Sequence, residues 1–176
     1  MRYGVLLIFA TILSLLPGVV EAKPPPFGHV GASEAFEAER DLTALMVAEH
    51  VGVDVEVVLL AWEAAPLDNQ LAVMRAVQQV GKSYRYASRG PNSFDCSGLM
   101  AFAWERGGVS LSANSRSQIN ATEPIDFARA GDLLSYPGHI MLSLGLGDWV
   151  VHAANRRTGV TISEVSRNVR AGEVLT

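Results

Sequence analysis

The chain has 176 residues, 14 of them basic and 18 acidic, a formal net charge of −4 and a single cysteine. That balance argues against nucleic acid as a partner, because no lysine or arginine stripe is present and Arg156-Arg157 is an isolated pair. One cysteine excludes an internal disulfide, so a chain of this length is expected to hold one domain around an apolar core.

Residues 1–22 read as a secretion signal. Arg2 supplies the positive start, Val5 to Leu16 is almost wholly apolar, and Val20-Glu21-Ala22 offers small residues for cleavage. The apolar run is broken by Pro17 and falls short of the roughly 20 residues that span a bilayer, so no stable membrane insertion is expected after cleavage. Removal of Arg2 and Glu21 leaves the net charge at −4. Export predicts a secreted or periplasmic protein.

Residues 23–33, with Pro24-Pro25-Pro26 and two glycines, predict an irregular leader. Residues 34–66 predict a helical extension. Its first helix spans Glu34 to His50 with Ala35, Leu42, Leu45 and Met46 inward, and its second is capped by Asp54 and runs through Val57, Leu60 and Ala61 until Pro66. Residues 67–176 predict the catalytic domain. A third helix begins near Asp68, buries Leu71, Met74, Val77 and Val80, and ends at Gly81. Lys82 to Arg89 is expected to form an irregular wall, and a fourth helix starts at Cys96 and ends by Gly107-Gly108. Leu133-Leu134, His139 to Leu144, Trp149 to Ala153 and Val160 to Val165 are short apolar or alternating runs separated by turns, the pattern of an antiparallel sheet. Helices followed by strands predict an α+β class, helices packed on an antiparallel sheet with an N-terminal helical extension.

Cys96 at a helix start is the candidate nucleophile, because free N–H groups there favour a thiolate and can hold the negative oxygen formed on attack. Asp95 would raise the thiol pKa if aimed at sulfur, so it is expected to cap the helix or face substrate, and Ser97 is a cap or a substrate contact. Of four histidines, His29 sits in the leader and His50 ends the first helix, which leaves His139 and His152 as base and orienter. A turn centred on residues 145 and 146 would set 139 opposite 152, whereas a one-residue slip would part the rings. A strand-edge His139 and a partly buried His152 without chemistry remain the alternative. Close paired metal-ligand spacing is absent, so neither metal nor cofactor is expected.

Gly81-Lys82-Ser83-Tyr84-Arg85-Tyr86 and Phe94-Asp95-Cys96-Ser97-Gly98-Leu99, then Ser115-Arg116-Ser117-Gln118, Gly131-Asp132-Leu133-Leu134, Gly138-His139-Ile140 and Val151-His152-Ala153, resemble in order the NlpC/P60 family of cell-wall endopeptidases. The resemblance covers about residues 68–176. It implies a papain-like domain in which Cys96 attacks, His139 is base and then acid, and His152 orients His139. It further implies that Tyr84 serves the oxyanion site or substrate, and that Asp95 and Ser97 line the pocket for the residue before the cut bond. Arg116 is a candidate for a substrate carboxylate. The implied substrate is the peptidoglycan stem peptide, cut between the γ-carboxyl of D-glutamate and diaminopimelate or lysine. Another thiol-dependent amidase or acyltransferase, or a weakly catalytic wall-binding protein, stays as the alternative. Ala87-Ser88 stand where the family often has two glycines, Met141 where a small residue is frequent, and Ser143 where tyrosine is frequent, which bears on groove width and aromatic packing.

Overall fold

A computed structural model of the chain describes residues 30–165 and 168–176. The expected secretion signal and most of the expected leader lie outside these residues. Helix α1 spans Val30–Val51 and so takes in the end of the segment expected to be irregular. The proline run ends at Pro26 and no proline recurs before Pro66, so nothing from residue 30 onward removes a helical N–H. Helix α2, Val55–Glu63, starts where expected, with Asp54 accepting from the Glu56 N–H.

The buried faces of these two helices differ from the expected ones. Leu42, Leu45, Met46, Val57 and Leu60 face outward, while Ala44, Val47, Ala48, Val58 and Trp62 are buried. Residues 44, 47 and 48 also have helical spacing, and their small side chains let α1 approach its neighbours closely. Size of the apolar residue was therefore a poor guide to which of two overlapping stripes faces inward.

Helix α3, Leu67–Val77, begins directly after Pro66 and buries Ala72, Val73, Met74, Ala76 and Val77. The wall that follows is more regular than expected: strand β1, Ser83–Tyr84, pairs in parallel with strand β2, Ser93–Phe94. Helix α4, Cys96–Glu105, opens at the candidate nucleophile. The chain then adds a short helix α5, Ser115–Asn120, capped by Asn114, and strand β3, Glu123–Pro124. Strands β4 (Leu133–Tyr136), β5 (His139–Ser143), β6 (Trp149–Asn155), β7 (Gly159–Glu164) and β8 (Arg170–Glu173) complete it. The six-stranded antiparallel sheet has the order β3-β8-β4-β5-β6-β7.

One core joins the helices to Leu133, Ile140, Leu142, Val151 and Ala153, and a second small cluster of Leu134, Met141 and Val150 lies elsewhere on the sheet. The N-terminal helices share the main core. Trp62 Nε1 donates to Leu144 O at 3.1 Å, His50 Nε2 meets Ile162 O at 3.1 Å, and Arg106 grips the Glu39 carboxylate with both terminal guanidinium nitrogens. Arg106 caps the end of α4 opposite Cys96. Ten residues at 1.5 Å each separate those ends by about 15 Å, so the Glu39 anchor of α1 lies far from Cys96.

Candidate active site

Asp95 builds the approach to Cys96. Its Oδ1 accepts from the Gly98 N–H at 2.6 Å and from Ser97 Oγ at 3.1 Å, while Oδ2 accepts from the Ala87 N–H at 2.7 Å. The carboxylate thus caps α4 and ties the wall loop to it. Asp95 and Ser97 are both buried, and Ser97 also donates to Ala113 O at 3.2 Å. These bonds hold both side chains against the start of α4. The close fit needs Gly98, because a Cβ there would come within 2.0 Å of Ser88 O.

Cys96 is half-buried. Burial pushes its thiol up and the Asp95 charge adds to the rise, while the backbone N–H groups of Ile140, Ser97 and Cys96 itself favour the thiolate. Sheet geometry explains the Ile140 donor. Ser143 directs its N–H to Asp132 O and accepts from the Gly131 N–H, so alternate residues of β5 turn their N–H groups toward β6. The β5–β6 ladder consists of Leu142↔Val151 and Ser143↔Val150. Ile140 lies beyond its last pair, and its N–H is left to favour the Cys96 thiolate.

His139 Nε2 and His152 Nδ1 are 2.7 Å apart, their rings nearly perpendicular. The register that achieves this is not the expected one. Continuing the ladder sets 141, not 139, across from 152, so the two histidines are diagonal neighbours. A displacement of two residues preserves side-chain parity, and the rings stay on one face. His139 is buried, and burial pulls His152 below the ordinary histidine range, which keeps it neutral. The second nitrogen of His152, Nε2, meets Ser163 Oγ at 3.1 Å. Ser163 was missed in the sequence, although β7 pairs Thr161 with His152 and Ser163 with Val150, putting Ser163 one diagonal from His152.

Tyr84 stands near enough to Cys96 and Asp95 for their charges to add to the desolvation that raises its pKa, while Arg156 opposes them. Its hydroxyl is therefore a protonated donor near neutral pH. Arg116 is exposed and lines a cleft of about 360 Å³ together with His139, Tyr136 and Arg170. None of the cleft-lining residues comes from α1 or α2. His50 is held on β7, so it joins neither histidine of the pair. Met141 and Ser143 are buried, Met141 in the smaller apolar cluster, so neither widens the cleft directly. Among the described residues, no group of histidine, cysteine and carboxylate side chains could hold a metal ion.

A probable endopeptidase of Corynebacterium glutamicum is 35% identical over 105 residues, which are 56% of this chain and 50% of that protein. The chain thus spans about half the length of that relative. The structure of the peptidoglycan hydrolase RipB from Mycobacterium tuberculosis matches with a TM-score of 0.55 at 23% identity, over 86% of this chain and 92% of that one. RipD from the same organism, described as a non-catalytic NlpC/p60 domain protein adapted to peptidoglycan binding, matches with a TM-score of 0.55 at 22% identity, over 63% of this chain and 100% of that one. These likenesses establish a shared fold. The family model for NlpC/P60 matches residues 81–175, more than half of the chain, and the protein therefore belongs to the NlpC/P60 family.

Proposed function

We propose that this protein is a secreted cysteine endopeptidase that hydrolyses peptidoglycan stem peptides at the bond between the D-glutamate γ-carboxyl and diaminopimelate or lysine. The observation that carries the reading is the 2.7 Å contact between His139 and His152 on the strand whose next residue, Ile140, offers its N–H to Cys96. His139 Nε2 is engaged by His152, so its Nδ1 takes the thiol proton. The thiolate sulfur bonds to the scissile carbonyl carbon. Backbone N–H groups at the start of α4 and the Tyr84 hydroxyl stabilise the resulting oxyanion. Imidazolium His139 then protonates the departing amine as the C–N bond breaks, leaving a thioester on Cys96. His139 next takes a proton from water, whose oxygen attacks the thioester, and the Cys96 thiol is restored as the acid leaves.

His152 supports this cycle as a neutral ring. Its Nδ1 accepts from His139 Nε2–H, which places its own proton on Nε2, directed at Ser163 Oγ. Asp95 and Ser97 hold the helix start in place, and through it the oxyanion donors.

Burial of the thiol favours a second reading, a domain that binds stem peptides without cutting them. One experiment separates the two. Purified protein lacking residues 1–22 is incubated with defined stem peptides and the products are weighed by mass spectrometry. Cleavage after D-glutamate is expected, and Cys96→Ser should remove nearly all of it while circular dichroism stays unchanged. Undiminished cleavage by Cys96→Ser, cleavage only between sugars, or binding without turnover would each refute the endopeptidase reading.

A further inference from the structure

Beyond His139 the cleft runs along the β4–β5 turn toward α5 and the start of β8. Arg116 and Arg170 both line it, and among the described residues no acidic one does. Arg170 Nη1 donates to Asn120 Oδ1 at 3.1 Å. Asn120 and Arg116 are four residues apart on α5, so they stand one turn apart on the same side of the helix, with Cβ atoms separated by about 5–6 Å. The Asn120 bond therefore brings the Arg170 guanidinium to the flank of the helix that bears Arg116. Neither arginine belongs to an ion pair among the described residues.

This positive wall opposes the chain's net charge of −4. It is also fixed relative to the nucleophile, because Gln118 on α5 donates from Nε2 to Ser97 O and to Ser112 O, each at 2.9 Å. Two guanidinium groups on the wall of one cleft repel each other, and a carboxylate held between them turns the repulsion into charge-assisted hydrogen bonds.

We propose that Arg116 and Arg170 form a carboxylate subsite for the leaving-group side of a stem peptide. The assignment rests on the endopeptidase reading, or on the binding-only reading, of the same cleft. The side follows from chemistry: His139 hands its proton to the departing amine, and this arm of the cleft begins at His139. Two carboxylates can arrive there. Diaminopimelate carries one at the end of its side chain where lysine has an amine alone, and a trimmed peptide carries one at its C-terminus.

The test uses peptides of L-alanyl-γ-D-glutamate followed by diaminopimelate or lysine, each with a free or amidated C-terminus, plus diaminopimelate amidated on its side chain. Dissociation constants are measured by calorimetry on Cys96→Ala protein spanning residues 23–176, and kcat/KM on the unsubstituted enzyme. At least one carboxylate should matter: its amidation should weaken binding about tenfold, the low end for hydrogen bonds to a charged group. Arg116→Gln and Arg170→Gln should each erase most of that preference, and Arg116→Lys should retain part of it. Loss on side-chain amidation identifies the diaminopimelate carboxylate, and loss on C-terminal amidation identifies the peptide terminus. Equal binding of all peptides, or an unchanged preference in both glutamine variants, overturns the subsite even if cleavage after D-glutamate is observed. Failure of every peptide to bind overturns the subsite and the functional reading together.

Discussion

Ser163 Oγ lies 3.1 Å from His152 Nε2, on the far side of the ring from His139. In the proposed cycle the hydroxyl accepts the Nε2–H, which supports the tautomer in which His152 Nδ1 is an acceptor for His139. Ser163→Ala removes that support and leaves the half-buried ring freer to carry its proton on Nδ1, facing the Nε2–H of His139. The expected result is a fall in kcat of about three- to tenfold with KM nearly unchanged, partly rescued by Ser163→Thr. A packing role alone would move the unfolding temperature and leave the kcat pH profile intact, so both are to be measured.

The two histidines should separate by role. His139→Ala removes the proton acceptor and should cost at least about 100-fold in kcat/KM. His152→Ala should cost less, and His152→Asn or His152→Gln less again, because an amide can still accept from His139 Nε2–H. The order is read as kcat/KM on one stem peptide with folding checked by circular dichroism. A folded, inactive His152→Ala beside a nearly normal His139→Ala would reverse the assignment of base and orienter.

Acid should loosen the anchor between α1 and α4. The Arg106 side chain, with help from Gln78, holds the Glu39 carboxyl down from its ordinary 4.5 to about 2. A depressed carboxyl contributes stability that is complete above the unfolded value and lost as pH falls from about 4.5 through 2. Buried Asp132 has the opposite sign, its pKa raised mainly by desolvation, so it resists acid. Glu39→Gln should therefore lower the unfolding temperature near pH 6 and narrow the gap between pH 6 and pH 3. An equal shift of the melting curve at both pH values would show that the pair contributes nothing through its charge.

Two backbone positions around the cap should respond in opposite directions. Ala87 has φ 60, a left-handed conformation that glycine enters without the steric cost of a Cβ. Ala87→Gly should leave stability unchanged or raise it by up to about 1 kcal/mol, since relief of strain competes with added chain entropy. Gly98→Ala must force apart the helix and the Ser88 carbonyl, 2.0 Å from the new carbon. It should destabilise the protein by several degrees and abolish activity. Chemical denaturation of both variants gives the comparison.

The sequence was most legible where one residue has one physical job. Asp54 and Asp95 announced helix starts and cap them, and the alternating runs located four of the strands. Cys96 at the start of α4 followed from the same local chemistry. Local pattern could not decide which stripe of α1 faces inward, because Leu42-Leu45-Met46 and Ala44-Val47-Ala48 have equivalent spacing and only the neighbouring elements choose between them. Strand β8 was hidden because Arg170-Ala171-Gly172-Glu173 has little apolar alternation and gains its identity by pairing with β4. Short α5 was hidden among polar residues. Arg170 and Ser163 escaped notice for that reason: each acquires its neighbours through pairing between distant segments.

The early parting of β5 and β6 sets a limit on how far this fold can be made regular. One more rung on that ladder would strengthen the sheet by about 0.5–1.5 kcal/mol, the net value of an ordinary hydrogen bond. It would also capture the Ile140 N–H and withdraw from Cys96 a donor that opposes the effect of burial. Substitutions chosen only to zip the strands together should thus yield a protein that melts later and reacts more slowly. Thermostabilisation by that route works against the thiol.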